Sequence, residues 1–253
     1  MNILISNDDG IWAKGIKELV LAMSQVANVY VSAPHRQRSA TGHGITIGQS
    51  MTIKEVDFQG AKGAIEVTGT PADCVKIGVA YFEKQGINID VVYAGINMGA
   101  NLGTDTLYSG TVSAAIEGNL LGKPAVAVSV CSHTPTHFEY ACYLAKQAYK
   151  NAVFNLDSRT VLNINAPNRP MDQIKGVKYT RLGKMEYTGW YNPEKNQNGQ
   201  LEVAYAGEPA PVVGNDLGVD IIAHANGFAS ITPLKYDLTN HYLIEEVESW
   251  NIV

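Results

Sequence analysis

At 253 residues the chain can form one large α/β domain or two small ones, and either would bury a sizeable core without disulfides or a structural metal. Its formal charge of −5, from 19 Lys+Arg against 24 Asp+Glu, argues against a surface built to hold a nucleic-acid polymer, so any anionic ligand should be small and locally bound. Cys74, Cys131 and Cys142 form no CxxC pair, the apolar start Met1 to Ile5 is too short for a secretory core, and no run reaches membrane-spanning length. A reduced, cytoplasmic protein with no membrane segment is expected.

The run Asn2 to Ile5 predicts a buried strand, followed by a loop from Ser6 to Gly15 and a helix carrying Ile16, Leu19, Val20 and Met23 on one face. Val29 to Val31 and Ile65 to Val67 predict further strands, stopped near Pro34 and Gly69. A helix from Pro71 to Lys84 follows, with Thr70 as N-cap and Pro71 in its first turn. Asp90 to Ala94 reads as a strand, Gly95 to Gly110 as a glycine-rich loop and Val112 to Leu121 as a helix. Pro124 to Val130 is apolar on both faces, as in a covered parallel sheet. Phe138 to Phe154 reads as a helix and Val161 to Ile164 as a strand. Such alternation predicts a doubly wound, mostly parallel sheet with helices on both faces.

From Glu186 to Gly207 the composition turns polar around Asn198-Gly199, a hairpin signal, and an extended β-arm is expected. Its aromatics Tyr187, Trp190, Tyr191 and Tyr205 need cover, either from a partner subunit or from the chain's own core. Ser230 to Leu234 reads as a late strand, and Asn240 to Val253 as a helical or extended tail.

Ligand sites in open α/β sheets lie beyond the carboxyl ends of strands, which directs attention to four polar loops. The first, Ser6-Asn7-Asp8-Asp9-Gly10, doubles a carboxylate where one would suffice as a helix cap. Two such charges repel unless a cation neutralises them. The second runs from Ala33 to Gly44, where Ser39 offers a neutral oxygen and Arg36, Arg38, His35 and His43 could meet an anion, although each taken alone fits a solvated loop better. In the third, Asn97 stands among glycines, as ligand or as turn former. The fourth, Tyr108-Ser109-Gly110-Thr111, enters a helix whose N-terminal amides and dipole favour phosphate; plain capping by Ser109 or Thr111 is compatible with that role.

Two carboxylates, an amide oxygen and a hydroxyl are hard donors, suited to Mg²⁺ or Mn²⁺ rather than structural zinc. His133 and His137 stand four apart, but Thr134 occupies the place an HExxH glutamate would need. GxGxxG after the first strand, GxxxxGK[ST] and GxSxG are all absent from the sequence.

The ordered motifs ILISNDDG, APHRQRS, GTPADCV, GINMGANLGTDTLYSGTVSAAIEG, LNINAP and SITPLKYDLT resemble the SurE family of survival-protein nucleotidases from Asn2 to about Thr239. The resemblance implies a Rossmann-like core at about 1–182 and 216–238, a β-hairpin arm at about 183–215 and a C-terminal tail at about 239–253, the last two serving a homodimer or homotetramer. It implies one divalent cation per subunit, Mg²⁺ or Mn²⁺, on Asp8, Asp9, Ser39 and Asn97, with the phosphate turn at Ser109, Gly110 and Thr111 beside Asn7. The implied substrates are nucleoside 5′- and 3′-monophosphates, with short polyphosphate in some members.

Hydrolysis by metal-assisted in-line attack of water is therefore expected, with Asp8 and Asp9 acting through the metal and His43 named as a candidate general acid. A Mg²⁺-binding phosphoryl-accepting receiver and a non-catalytic nucleotide-binding subunit are the alternatives.

Overall fold

The computed structural model describes residues 1–189, 191, 193–203 and 207–252. Among these residues thirteen strands follow in chain order. They are β1 (Asn2–Ser6), β2 (Asn28–Pro34), β3 (Ile53–Glu55), β4 (Gly63–Val67), β5 (Val91–Met98), β6 (Ala125–Cys131), β7 (Thr160–Pro167), β8 (Val177–Tyr179), β9 (Tyr187–Thr188), β10 (Pro193–Lys195), β11 (Leu201–Val203), β12 (Glu208–Pro209) and β13 (Ala229–Lys235). The helices are α1 (Lys14–Met23), α2 (Pro71–Glu83), α3 (Gly110–Leu120), α4 (Glu139–Asn155), α5 (Asp220–Ala225) and α6 (Ile244–Ser249).

Nine strands form one sheet in the order β3-β4-β2-β1-β5-β6-β7-β13-β8. The stretch from β4 to β7 is parallel, while β3 and β13 run antiparallel to β4 and β7, and β8 follows the direction of β13. Strand alternation sends Ile3 and Ile5 to one face and Leu4 to the other. The first face packs against Leu19 and Val20 of α1 and Leu144 of α4, the second against Val75 and Val79 of α2 and Val112 of α3. Each fully buried aliphatic side chain contributes about 1.5–3 kcal/mol, so both helical layers are held chiefly by apolar burial.

The chain builds outward from β1 through β2 to β4, then returns to the other side of β1 at β5 and continues through β6 to β7. That reversal opens a crevice at the carboxyl ends of β1 and β5.

The expected N-cap of α2 is present: Thr70 accepts from the Asp73 amide, and the Asp73 carboxylate accepts from the Thr70 amide. Strand β5 departs from expectation by running past Ala94 to Met98, with a register shift between Ala94 and Asn97 and a cis Gly95–Ile96 peptide. β3, β8 and α5 are additional elements, each short.

In the arm, β10 pairs with β11 around a turn in which the Gly199 amide donates to the Asn196 carbonyl at 2.9 Å, and β9 pairs with β12 at its base. Tyr187 is half-buried and Tyr191 exposed, whereas Trp190 and Tyr205 lie outside the described residues. The tail is helical in part, with α6 exposed throughout and Tyr242 98% exposed. Among the described residues no helix is long and apolar enough to cross a membrane.

Candidate active site

Asp8 and Asp9 follow the buried end of β1 after Asn7. The Asn7 side-chain amide donates to the Gly10 carbonyl at 2.8 Å, and Gly10, at φ +99°, lies in the left-handed region that reverses the chain there. Asp8 is buried and accepts a hydrogen bond from the Thr111 hydroxyl. Asp9 accepts from the Met98 amide at 3.0 Å.

Burial pushes the Asp8 carboxyl from 3.8 up to about 6; the Thr111 hydroxyl opposes the shift and the Asp9 charge adds to it. Burial raises Asp9 as well, against the Met98 amide and the His133 ring. Among the described residues neither carboxylate forms an ion pair with Lys or Arg. A buried carboxylate beside a half-buried one, with no cationic partner among the described residues, is costly unless something positive joins them.

The loop after β2 is laid over this turn. The Arg38 amide donates to the Asp8 carbonyl at 2.7 Å, and the Gly42 amide donates to the Tyr108 carbonyl at 3.1 Å. Ser39 is therefore carried next to Asp8, with its hydroxyl accepting from the Gln37 side-chain amide at 2.9 Å. At the end of β5 the Asn97 amide nitrogen donates to the Gly99 carbonyl at 3.0 Å, and among the described residues its Oδ1 meets no donor.

Ser109 caps α3, accepting from the Val112 amide at 3.0 Å. The anion that meets the start of this helix is the carboxylate of Asp8, held by both the hydroxyl and the amide of Thr111.

A cavity of about 850 Å³ brings Asp8, Ser39, Asn97 and Ser109 together. Asp9 stands at its edge through Met98, while Asn7, Gly110 and Thr111 support it from behind without lining it. His43 is not among the lining residues. Its Nε2 lies 2.9 Å from Oε2 of the buried Glu117, seven residues into α3 from Gly110 and so about 10 Å along the helix axis.

The histidine that does line the cavity is His133, just beyond β6. Metal-ligand spacing alone gave it no significance, yet its place in a loop after a parallel strand carried the positional signal that marked the other four loops. Asn101, Thr104, Asp105, Tyr108, Met185 and Tyr187 complete most of the wall. Asn101 is fixed from β6 and β7, since its amide donates to Asn165 Oδ1 at 2.8 Å and its side chain to Ser129 at 2.8 Å. The polar Asn163 and Asn165 inside the apolar run of β7 were the available hint.

Among the described residues no three His, Cys, Asp or Glu gather as a metal site. The oxygens available are instead two carboxylates, a hydroxyl and an unpaired amide carbonyl, which fit a hard divalent cation.

Comparison with known proteins shows the family. Residues 3–189 match the family model described as survival protein SurE. The chain is 42% identical over 250 residues to the 5′-nucleotidase SurE of Pelotomaculum thermopropionicum, covering 98% of this chain and 94% of that one. It is 40% identical over 250 residues to the 5′-nucleotidase SurE of Legionella pneumophila, covering 98% and 96%. The crystal structure of the SurE protein from Aquifex aeolicus superposes with a TM-score of 0.86 at 34% identity, over 99% of each chain.

Proposed function

The chain belongs to the survival protein SurE family, and from that premise we propose that it is a 5′-nucleotidase hydrolysing nucleoside 5′-monophosphates to nucleoside and phosphate. The observation that supports this most is the meeting of Asp8, Ser39, Asn97 and Ser109, from separate segments of the chain, in one cavity.

In this reading one magnesium or manganese ion per subunit is held by Asp8, Asp9, Ser39 and Asn97. Such an ion, when bound, neutralises phosphoryl charge and lowers the pKa of water. The chain's own groups do the positioning. Thr111 holds Asp8, the Met98 amide holds Asp9, and the Arg38 amide keeps the Ser39 loop over both. Ser109 presents its hydroxyl to the phosphoryl oxygens from the cavity wall, while the helix start behind it holds Asp8. His43, tied to Glu117, keeps the loop in place in this reading, away from the leaving oxygen.

Turnover of 3′-monophosphates and short polyphosphate is a finer expectation resting on family resemblance. Assembly through arm and tail draws support from exposed apolar side chains at Val213, Tyr242 and Ile252.

The test is phosphate release from AMP with Mn²⁺ or Mg²⁺, with chelator, and with Asp8→Asn. Release that requires the ion and falls at least a hundredfold in the variant is expected. Release indifferent to chelation sinks the reading.

A further inference from the structure

The arm is joined to the cavity wall in a regular way. Asp220 accepts from the Gly103 amide and the Gly183 amide, each at 2.7 Å, and so fastens the start of the arm to the start of the turn Gly103–Leu107. Two residues on, the Met185 amide donates to the Thr104 hydroxyl at 3.2 Å. Two residues further, the Tyr187 hydroxyl donates to the Asp105 carboxylate. Alternate residues of an extended segment share one face, so Gly183, Met185 and Tyr187 meet successive residues of the turn.

Met185 and Tyr187 thereby become cavity wall, beside Tyr108. Tyr108 has a fixed backbone, its amide donating to the Asp105 carbonyl at 3.0 Å and its carbonyl accepting from Gly42 at 3.1 Å. The residue nevertheless stays 66% exposed, one position before the cap Ser109. A large aromatic ring left in water at the mouth of a cavity, on a rigid root, is suited to a flat partner.

We propose that Tyr108 and the arm residue Tyr187 are specificity-determining residues that bind the nucleobase, stacking on it while the phosphate lies toward Ser109. The proposal rests on the nucleotidase reading. It makes the arm part of the substrate site rather than an appendage of the core. Stacking is tolerant of base identity, so purine and pyrimidine monophosphates are all accepted, and ribose phosphates without a base are disfavoured.

The experiment compares AMP with ribose 5-phosphate, which carries the same phosphate ester and 5′ leaving oxygen but no base. In Tyr108→Ala and in Tyr187→Ala the ratio of kcat/KM for AMP to that for ribose 5-phosphate should fall about tenfold, as loss of base–aromatic stacking gives. Tyr108→Phe and Tyr187→Phe should restore it. A ratio unchanged in both alanine variants overturns the proposal, as does a loss shared equally by the two esters.

If Tyr187→Ala does not fold, Tyr108→Ala carries the test, because its ring is exposed. If the wild type hydrolyses neither ester, the nucleotidase reading fails. The base site is then judged by calorimetry, where AMP should bind at least tenfold more tightly than ribose 5-phosphate and lose that advantage in Tyr108→Ala. Equal affinities in the wild type overturn it.

Discussion

Gly110 and Asp8 stand so close that a methyl group on the glycine would lie 2.7 Å from the aspartate Cβ and 2.8 Å from its Oδ2. The backbone of Gly110 is helical and would accept alanine, so the obstacle is the neighbour alone. Gly110→Ala should therefore displace Asp8, with overpacking of about 1–3 kcal/mol offset in part by about 1 kcal/mol of helix propensity. The expected outcome is a small change in Tm with a fall of at least tenfold in phosphate release from AMP. Full activity at unchanged Tm would mean that Asp8 has no need of its present position.

Cation binding should be visible without turnover. An ion that binds the folded chain alone adds about 2.7 kcal/mol at a hundredfold excess over its Kd. For a chain of this length that is about 5–10 °C in Tm. Manganese should produce such a shift in the wild type and lose most of it in Asp9→Asn and Asn97→Ala. A shift that persists in both variants would locate the ion elsewhere.

Glu117 is the buried acid behind the loop that carries Ser39. It pairs with His43 at 2.9 Å and with Lys76 at 3.0 Å, and its carboxyl is held below 4.5 first by the His43 hydrogen bond, against burial, with Lys76 assisting. Glu117→Gln should cost about 2 kcal/mol, as loss of charge-assisted bonds at a buried site does. Faster hydrogen exchange over 39–46 should accompany it, since the loop loses an anchor. Exchange rates identical to wild type would show that the remaining tethers hold the loop unaided.

Asp73 links stability to pH. Burial alone would raise its carboxyl, but hydrogen bonds from Thr46 and Thr70 outweigh burial and hold it below 3.8. Because the folded value is depressed, the ionised group stabilises the fold above 3.8, and that contribution is lost as pH falls through the lower folded value. Asp73→Asn should cost about 2 kcal/mol at neutral pH, from the capping box and the Thr46 bonds together. Urea unfolding should show the gap closing in strong acid. A gap of constant size would assign the cost to shape rather than charge.

The parallel core was legible because apolar periodicity alternates cleanly between strand and helix from Asn2 to Ile164. β3 left no such trace, since Ile53, Lys54 and Glu55 are all exposed, and the apolar run of β13 carries no sign of its antiparallel direction. The oxygen-bearing loops were found by their place after strands. His133 satisfies the same rule but carries no metal-ligand spacing, and the contribution of Met185 and Tyr187 rests on contacts about eighty residues apart, beyond any local pattern. His43 looked chemically apt in the sequence, but its partner is a helix residue 74 positions away.

The arm leaves at Gly183, whose amide is held by the carboxylate of Asp220, the residue at which the returning chain enters α5. The span between Gly183 and Asp220 is thus a loop whose ends are already closed, and doubling its length would add only about 0.6 kcal/mol of closure entropy. Insertions, deletions or a grafted peptide beyond Tyr187 should leave the cavity untouched, which makes the outer arm the part of this molecule freest to diverge and the most permissive point for engineering.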